Sequence, residues 1–190
     1  MRLFFHEQPF MRYSDTSTEI NFIDNLVQQA AKIVSSPRPD LSDFQNLLTR
    51  DDLITYAQWH DDKPYTRICL FENTKFELIL ICWSKDAQTA VHNHNEQNCW
   101  VFSVDADIEE TLYCYKGQAV TKVQRISKGQ TTFMEKGNKC HSLKNITGAP
   151  AMTLHLYNEP IKKCEVVGLP NSEDCLDWAE MQYDVKIEHS

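Results

Sequence analysis

Apolar positions recur along this chain with two different periods, and the change from one to the other falls near Pro64. Ahead of it, Ile20, Ile23, Leu26, Val27, Ala30, Ala31 and Val34 return at spacings of three and four, the stripe of an amphipathic helix over residues 18–34. Thr18 is expected to cap that helix, since its hydroxyl can accept from the unpaired N–H groups of a first turn. Pro37 and Pro39 end it, because proline lacks the amide hydrogen that a continuing helix needs. A second short helix is expected over residues 41–48, with Leu41, Phe44, Leu47 and Leu48 on one side. A third, over residues 51–59, opens with Asp51 and Asp52, which suit the positive end of a helix. Residues 18–60 thus predict a helical layer packed on a sheet, without chemistry of its own.

Beyond Pro64 the chain turns to short runs of β-branched and aromatic residues punctuated by Asn, Gly and Asp. These predict strands near residues 65–71, 76–83, 89–94, 99–104, 111–115, 120–125, 131–133, 141–145, 152–157 and 165–167. Residues 72–74 read as a tight turn, and residues 183–187, after an acidic segment around Glu173 and Asp174, as one more edge strand. So many short strands at close spacing suggest a barrel or sandwich. No internal repeat, linker or low-complexity tract divides the chain. Residues 1–190 are expected to form a single domain, with a helical part at 18–60 and a β-barrel at 64–190.

Composition narrows the partners. With 42% hydrophobic and 24% charged residues the chain reads as soluble and globular, and no run approaches the ~20 apolar residues of a membrane span. The apolar run near Met1 is too short for a secretory core, so export is not expected and a cytoplasmic location is. A net charge of -8, with no Lys/Arg block among aromatics, disfavours nucleic acid. The seven cysteines are odd in number and contain no C-x-x-C pair, which argues against a disulfide scaffold or zinc ribbon. Most are expected to be reduced thiols packed as small apolar residues. Cys99 is the exception, by its position.

Candidate chemistry concentrates in Val91-His92-Asn93-His94-Asn95-Glu96-Gln97-Asn98-Cys99. On an extended segment His92 and His94 share a face, and two imidazoles there make half a metal site. A third ligand could come from His6, His60, His141, His155 or His189. His141 lies in a stretch where Gly129 and Gly137 frame a short strand and turn and where Asn145 follows four residues later. That stretch resembles the second cupin motif, and His92-x-His94 the first. Two departures stand out: Glu135 takes the place of the usual proline, and the residue five after His94 is Cys99 rather than a ligating glutamate, with only Glu96 nearby.

The pattern H-x-H-x4-C, together with Leu154-His155-Leu156-Tyr157, is similar to the cysteine dioxygenases. Tyr65-Thr66-Arg67, Leu80-Ile81-Cys82-Trp83, Glu110-Thr111-Leu112 and Cys164 extend the resemblance, which runs from about Ile20 to Ile187. It implies a mainly β, cupin-type (jelly-roll-like) barrel with a small N-terminal helical layer. It also implies an Fe(II) enzyme oxidising L-cysteine with O2 to cysteine sulfinic acid, acting as a monomer without nucleic acid or membrane. In that likeness His92, His94 and His141 hold the iron, and Cys99 and Tyr157 are joined by a thioether. Arg67 and Tyr65 bind substrate, and His155 holds the Tyr157 phenol through a hydrogen bond. Thr153 stands where many members have serine and Ser142 where arginine is common. Trp83 is expected in the core wall, and Cys164 at the pocket mouth or in packing.

The residue types suit that chemistry. Three neutral imidazoles leave a divalent ion its full charge and open positions for thiolate and dioxygen. Arg67 offers a planar fork for a carboxylate. Other readings are a dioxygenase of 3-mercaptopropionate or cysteamine, or a zinc or manganese cupin acting as hydrolase, isomerase or binding module. Cys99 and Arg67 favour cysteine.

Overall fold

The computed structural model describes residues 16–114, 119–137, 139–167 and 176–188. His6, Cys175, His189, the acidic pair Glu173 and Asp174, and Tyr115 at the expected end of one strand lie outside the described residues.

Helix α1 (Thr16–Ser35) buries Ile23, Leu26 and Ala30 of the stripe that predicts it, together with Ile33. It starts at Thr16, so Thr18, expected at the cap, falls inside the first turn. The polar residues ahead of Ile20 carry no periodic signal from which that extra half-turn could be read. Helix α2 (Ser42–Leu47) buries Phe44. Helix α3 (Arg50–Leu53) is capped by the Thr49 hydroxyl, which accepts from Asp52 N. It ends at Leu53, six residues before the expected Trp59. Ile54 and Thr55 are β-branched and hold a helix poorly, and the chain passes instead into i to i+3 turns at Tyr56 and Ala57.

Two sheets follow. Strands β1 (Tyr65–Glu72), β2 (Phe76–Trp83), β3 (Cys99–Ser103), β6 (Thr131–Met134), β8 (Ala151–Asn158) and β11 (Val185–Lys186) form one, in the order β11-β1-β2-β8-β3-β6. All its pairs are antiparallel except β11 with β1, the edge strand that residues 183–187 predict. Strands β5 (Val120–Ile126), β4 (Ile108–Tyr113) and β7 (Cys140–Asn145) form a three-stranded ladder, and β9 (Lys163–Val167) pairs with β10 (Leu176–Glu180). β10 had no counterpart among the expected strands, because its Leu-Asp-Trp-Ala-Glu alternation continues the acidic segment before it.

Residues 89–94 are not a strand. His92 alone bridges β7 and β9, pairing with His141 and Val166, and thereby joins the two smaller ladders. Asn95, at φ 51, turns the chain away immediately afterwards.

The larger sheet separates two cores by residue parity. Leu78, Leu80, Cys82, Trp100, Phe102, Met152, Leu154 and Leu156 face the helices. Ile79, Ile81, Trp83, Cys99, Val101, Ala151 and Tyr157 face the second sheet. Covered on both sides, β2 is buried at every position, which is why it reads as a continuous apolar run. Side chains alternate along a strand, so a slip of one residue would turn every inward group outward. No disulfide joins the described cysteines, and no helix among the described residues is long and apolar enough to cross a membrane.

Candidate metal and substrate site

His92, His94 and His141 converge between the sheets, with one ring nitrogen from each lying within 4.8 Å of the others. The backbone sets two of them directly. His92 N donates to His141 O (2.9 Å) and His141 N to His92 O (2.8 Å), so the two imidazoles project side by side from a bridged pair. Asn93 points away. Its Nδ2 donates to Glu165 Oε2 (2.6 Å) and its Oδ1 accepts from Glu165 N (3.0 Å), while Asn95 Nδ2 donates to Lys163 O (2.6 Å). These two asparagines stitch the segment to β9, in place of the regular strand expected there. Gly137, at φ 121 where a side chain would be strained, turns beneath it and donates to Asn95 O (3.0 Å).

The donor set fits a metal ion. His94 Nε2 and His141 Nε2 are 3.2 Å apart, close to the ~3 Å between two nitrogens that each bind one ion at ~2.1 Å. The opposite ring atoms of two ligands are already engaged. His92 Nδ1 lies 2.9 Å from Ala90 O and His141 Nδ1 lies 2.8 Å from Glu110 Oε1, partners that turn each Nε2 toward the cluster. Burial, reinforced by His141, holds the His92 imidazole down to about 3. His94 is held well below its ordinary value by burial and by the same neighbours. Neutral imidazoles are the form that ligates.

Glu110 lies in one of the stretches that carry the resemblance, but its role as the partner of His141 was not read from the sequence. Its carboxylate is 1% exposed, and besides His141 it accepts from Thr132 Oγ1 (2.7 Å) and Gln124 Nε2 (2.6 Å) at Oε2. Burial pushes its carboxyl up, and the bonds from His141, Thr132 and Gln124 outweigh that, leaving it below the usual range. The available signal was an acidic residue at an inward position of β4, alternating with Ile108. Glu110→Gln keeps the shape and one acceptor but removes the charge that orients His141. It is expected to weaken metal retention about 10–100-fold, read as faster metal loss to a chelator with an unchanged fold by circular dichroism.

A cavity of about 320 Å³ opens beside the histidines, and Tyr65, Arg67, His92, His155, Tyr157 and Cys164 reach its wall. Arg67 is 7% exposed, and its Nε and Nη2, the two atoms of one guanidinium edge, have no partner among the described residues. Its Nη1 donates to Met181 Sδ (3.4 Å), which also accepts from Cys164 Sγ (3.2 Å). Asp184 fixes the backbone, accepting from Arg67 N (2.7 Å) while its own N donates to Arg67 O (2.8 Å). A buried Glu77 carboxylate, pushed up by its burial, accepts from Tyr183 OH and Ile161 N and ties the same terminal segment down. The residues around Met181 complete the cavity without having been singled out as site residues.

Cys99 and Tyr157 are direct cross-strand partners, both buried. Burial pushes both the thiol and the phenol well above their ordinary values. The Tyr157 ring meets His94 edge-on at 5.2 Å. The expected hydrogen bond from His155 to the Tyr157 phenol is not there. The two rings lie stacked with centroids 6.2 Å apart, and His155 Nε2 instead faces Thr153 Oγ1 at 2.9 Å. Alternation along β8 explains this: residues two apart share a face side by side, and the shorter threonine hydroxyl reaches the imidazole where the phenol points on toward the metal ligands. Trp83 is core wall, as expected, and also donates to Thr153 Oγ1 at 2.8 Å. His60 is exposed and plays no part.

Two facing sheets with three imidazoles gathered between them define a cupin-type barrel with a metal centre, preceded here by helices. The sequence matches the family described as cysteine dioxygenase type I over residues 14–167, and the chain belongs to that family. Cysteine dioxygenase type 1 of Danio rerio is 25% identical over 158 residues, covering 75% of this chain and 77% of that protein. The Homo sapiens protein of the same name is 28% identical over 116 residues, and the match covers 57% of this chain and 58%, little over half, of that relative. Among solved structures, the Schizosaccharomyces pombe Cnp3 cupin domain is similar at a TM-score of 0.45 with 15% identity, covering 52% of this chain and 67% of that one.

Proposed function

We propose that this protein is an Fe(II)-dependent dioxygenase that oxidises L-cysteine with O2 to cysteine sulfinic acid. The observation that carries the reading is the Nε and Nη2 edge of a buried Arg67, unpartnered among the described residues, on the wall of the same cavity as His92. A buried charged edge without a partner is costly unless a ligand completes it, and a carboxylate matches its two-point geometry. Membership of the family supports a thiol as the other end of that ligand.

In this reading His92, His94 and His141 hold iron through Nε2, and Glu110 keeps the His141 ring in the ligating tautomer. A bound ferrous ion supplies the redox chemistry by which both atoms of one O2 are added to a thiolate sulfur, RSH + O2 giving RSO2H. Arg67 orients the substrate by its carboxylate, Tyr65 closes the wall beside it, and the apolar faces of Ile81 and Leu143 limit water. Tyr157, held protonated by burial, is a hydrogen-bond donor at the edge of the metal cluster.

Cys99 and Tyr157 form a thioether between the sulfur and a ring carbon. The bond replaces an S–H and a ring C–H, and the two hydrogens with their two electrons pass to dioxygen. Their directly opposed positions on β3 and β8 support it. Intact mass spectrometry after turnover should show loss of two hydrogens, and peptide mapping a branched fragment. Cys99→Ala should stay folded, keep its metal and turn over more slowly. Only linear peptides from active, iron-loaded protein would sink the cross-link.

Oxygen uptake by the iron-loaded protein, measured with cysteine, 3-mercaptopropionate and cysteamine, tests the function. Uptake with cysteine in preference to the other two, with sulfinate as product, is expected. Preference for 3-mercaptopropionate or cysteamine would reassign the substrate. Tightly bound zinc or manganese and no thiol-dependent uptake would overturn the dioxygenase reading.

A further inference from the structure

We propose that Trp83 is a positioning residue that fixes the tautomer of His155 through the hydroxyl of Thr153. The placement follows from register. On the inward face Ile81 pairs with Thr153 and Trp83 with Ala151, so Trp83 and Thr153 are diagonal neighbours. The small Ala151 opposite leaves the indole room to lean toward Thr153. Its Nε1 lies 2.8 Å from Thr153 Oγ1, which in turn lies 2.9 Å from His155 Nε2. Trp83, Thr153 and His155 are all buried, so water offers no substitute partner. Trp59 Nε1 donates to the backbone Trp83 O at 3.0 Å, and the Tyr65 ring lies 5.2 Å from the Trp83 ring, so the backbone and the indole of Trp83 each have a fixed neighbour.

Proton counting decides the direction of each bond. An indole N–H donates and cannot accept, so Thr153 Oγ1 accepts from Trp83. The hydroxyl's own hydrogen then has one acceptor among the described hydrogen bonds, His155 Nε2. Were the imidazole hydrogen on Nε2, the oxygen would face two donors and its own hydrogen would be buried without an acceptor, an arrangement folded proteins avoid. His155 therefore carries its hydrogen on Nδ1. That atom is buried with no partner among the described residues, on a residue of the cavity wall. The N–H is kept for an oxygen atom of a ligand bound there. The β-branch of Thr153 adds a restricted χ1, holding the hydroxyl between its two partners.

That the ligand takes part in thiol oxidation rests on the function proposed above; the tautomer does not. The test uses the full chain labelled with 15N-histidine and loaded with zinc, a diamagnetic ion, so that long-range 1H–15N correlations report which ring nitrogen of His155 is bare. Wild type is expected to show a bare Nε2. Trp83→Phe removes only the donor, freeing the hydroxyl to accept, and should shift His155 toward the Nε2–H form; Thr153→Val should do the same, and Thr153→Ser should keep the wild-type state. In the iron-loaded enzyme Trp83→Phe should lower kcat about 10-fold with KM for cysteine and metal content unchanged. The Trp83→Phe/Thr153→Val pair should be no slower than Thr153→Val alone, since Trp83 acts through Thr153. An unchanged His155 signal in both single variants, or additive losses in the pair, would overturn the proposal. Should the wild type oxidise no thiol at all, the function would fall while the nuclear magnetic resonance result still decides the tautomer.

Discussion

His141→Ala is expected to purify without iron and to show no thiol-dependent oxygen uptake above background, with its secondary structure intact. The loss is complete because the site has no spare donor. The only group of metal-capable side chains among the described residues is the three histidines themselves, and Glu110, the nearest carboxylate, is already committed to Thr132 and Gln124. Two imidazoles bind a ferrous ion far more weakly than three, and ferrous iron stands low in the order of divalent affinities. His92→Ala and His94→Ala should behave alike. His60→Ala, on the exposed surface, should be nearly silent. Metal analysis and oxygen uptake on the same preparations check this, with circular dichroism separating metal loss from unfolding. Full iron occupancy in His141→Ala would mean that the third ligand is another residue.

How far the site was legible in the chain depended on whether each residue announced itself by type or only by neighbours. His92 and His94 are a metal-capable pair in themselves, and Arg67, Cys99 and Tyr157 entered through a resemblance in motif. Parity along β1, β2, β3 and β8 then brings Tyr65, Arg67, Cys99, His155 and Tyr157 to one face, which alternation alone allows one to read. Glu110 was not legible as a partner of His141, since a single acid on a half-polar strand is ordinary until the paired strand is known. Met181 was not either, because it reaches Arg67 from more than a hundred residues away in sequence. Residues 89–94 misled for a related reason. Their apolar and polar alternation is that of a strand, but they are held by scattered backbone bonds at Thr89, Val91, His92 and Asn93 and by asparagine side chains rather than by a continuous ladder. The helix expected to reach Trp59 failed locally, at two β-branched residues, and Trp59 serves instead to hold Trp83.

Arg67→Lys is expected to lower kcat/KM for cysteine on the order of 100-fold, the scale of losing a buried hydrogen-bonded partner of a charge, and to leave cysteamine turnover nearly as it was. The charge survives this change; what goes is the geometry. In the native side chain Nη1 is spent on Met181 and the Nε and Nη2 edge stays unpaired on the cavity wall, so the rotation of the guanidinium is set before substrate arrives. An ammonium is a point donor that cannot hold Met181 and present two parallel N–H groups at once. A carboxylate then meets one contact where it had two, and the thiol at the other end of the molecule is no longer held in register with the histidines. Cysteamine has no carboxylate, gains nothing from the native edge and loses nothing with it, so the variant should fall toward it in preference. Iron content should match wild type, because Arg67 touches no ligand, and Asp184 still pairs with the unchanged backbone of residue 67. Steady-state oxygen uptake with both thiols, beside metal analysis, makes the comparison. An unchanged ratio of cysteine to cysteamine kcat/KM in iron-loaded Arg67→Lys would remove Arg67 from substrate recognition and leave the three-histidine centre to be explained with some other thiol.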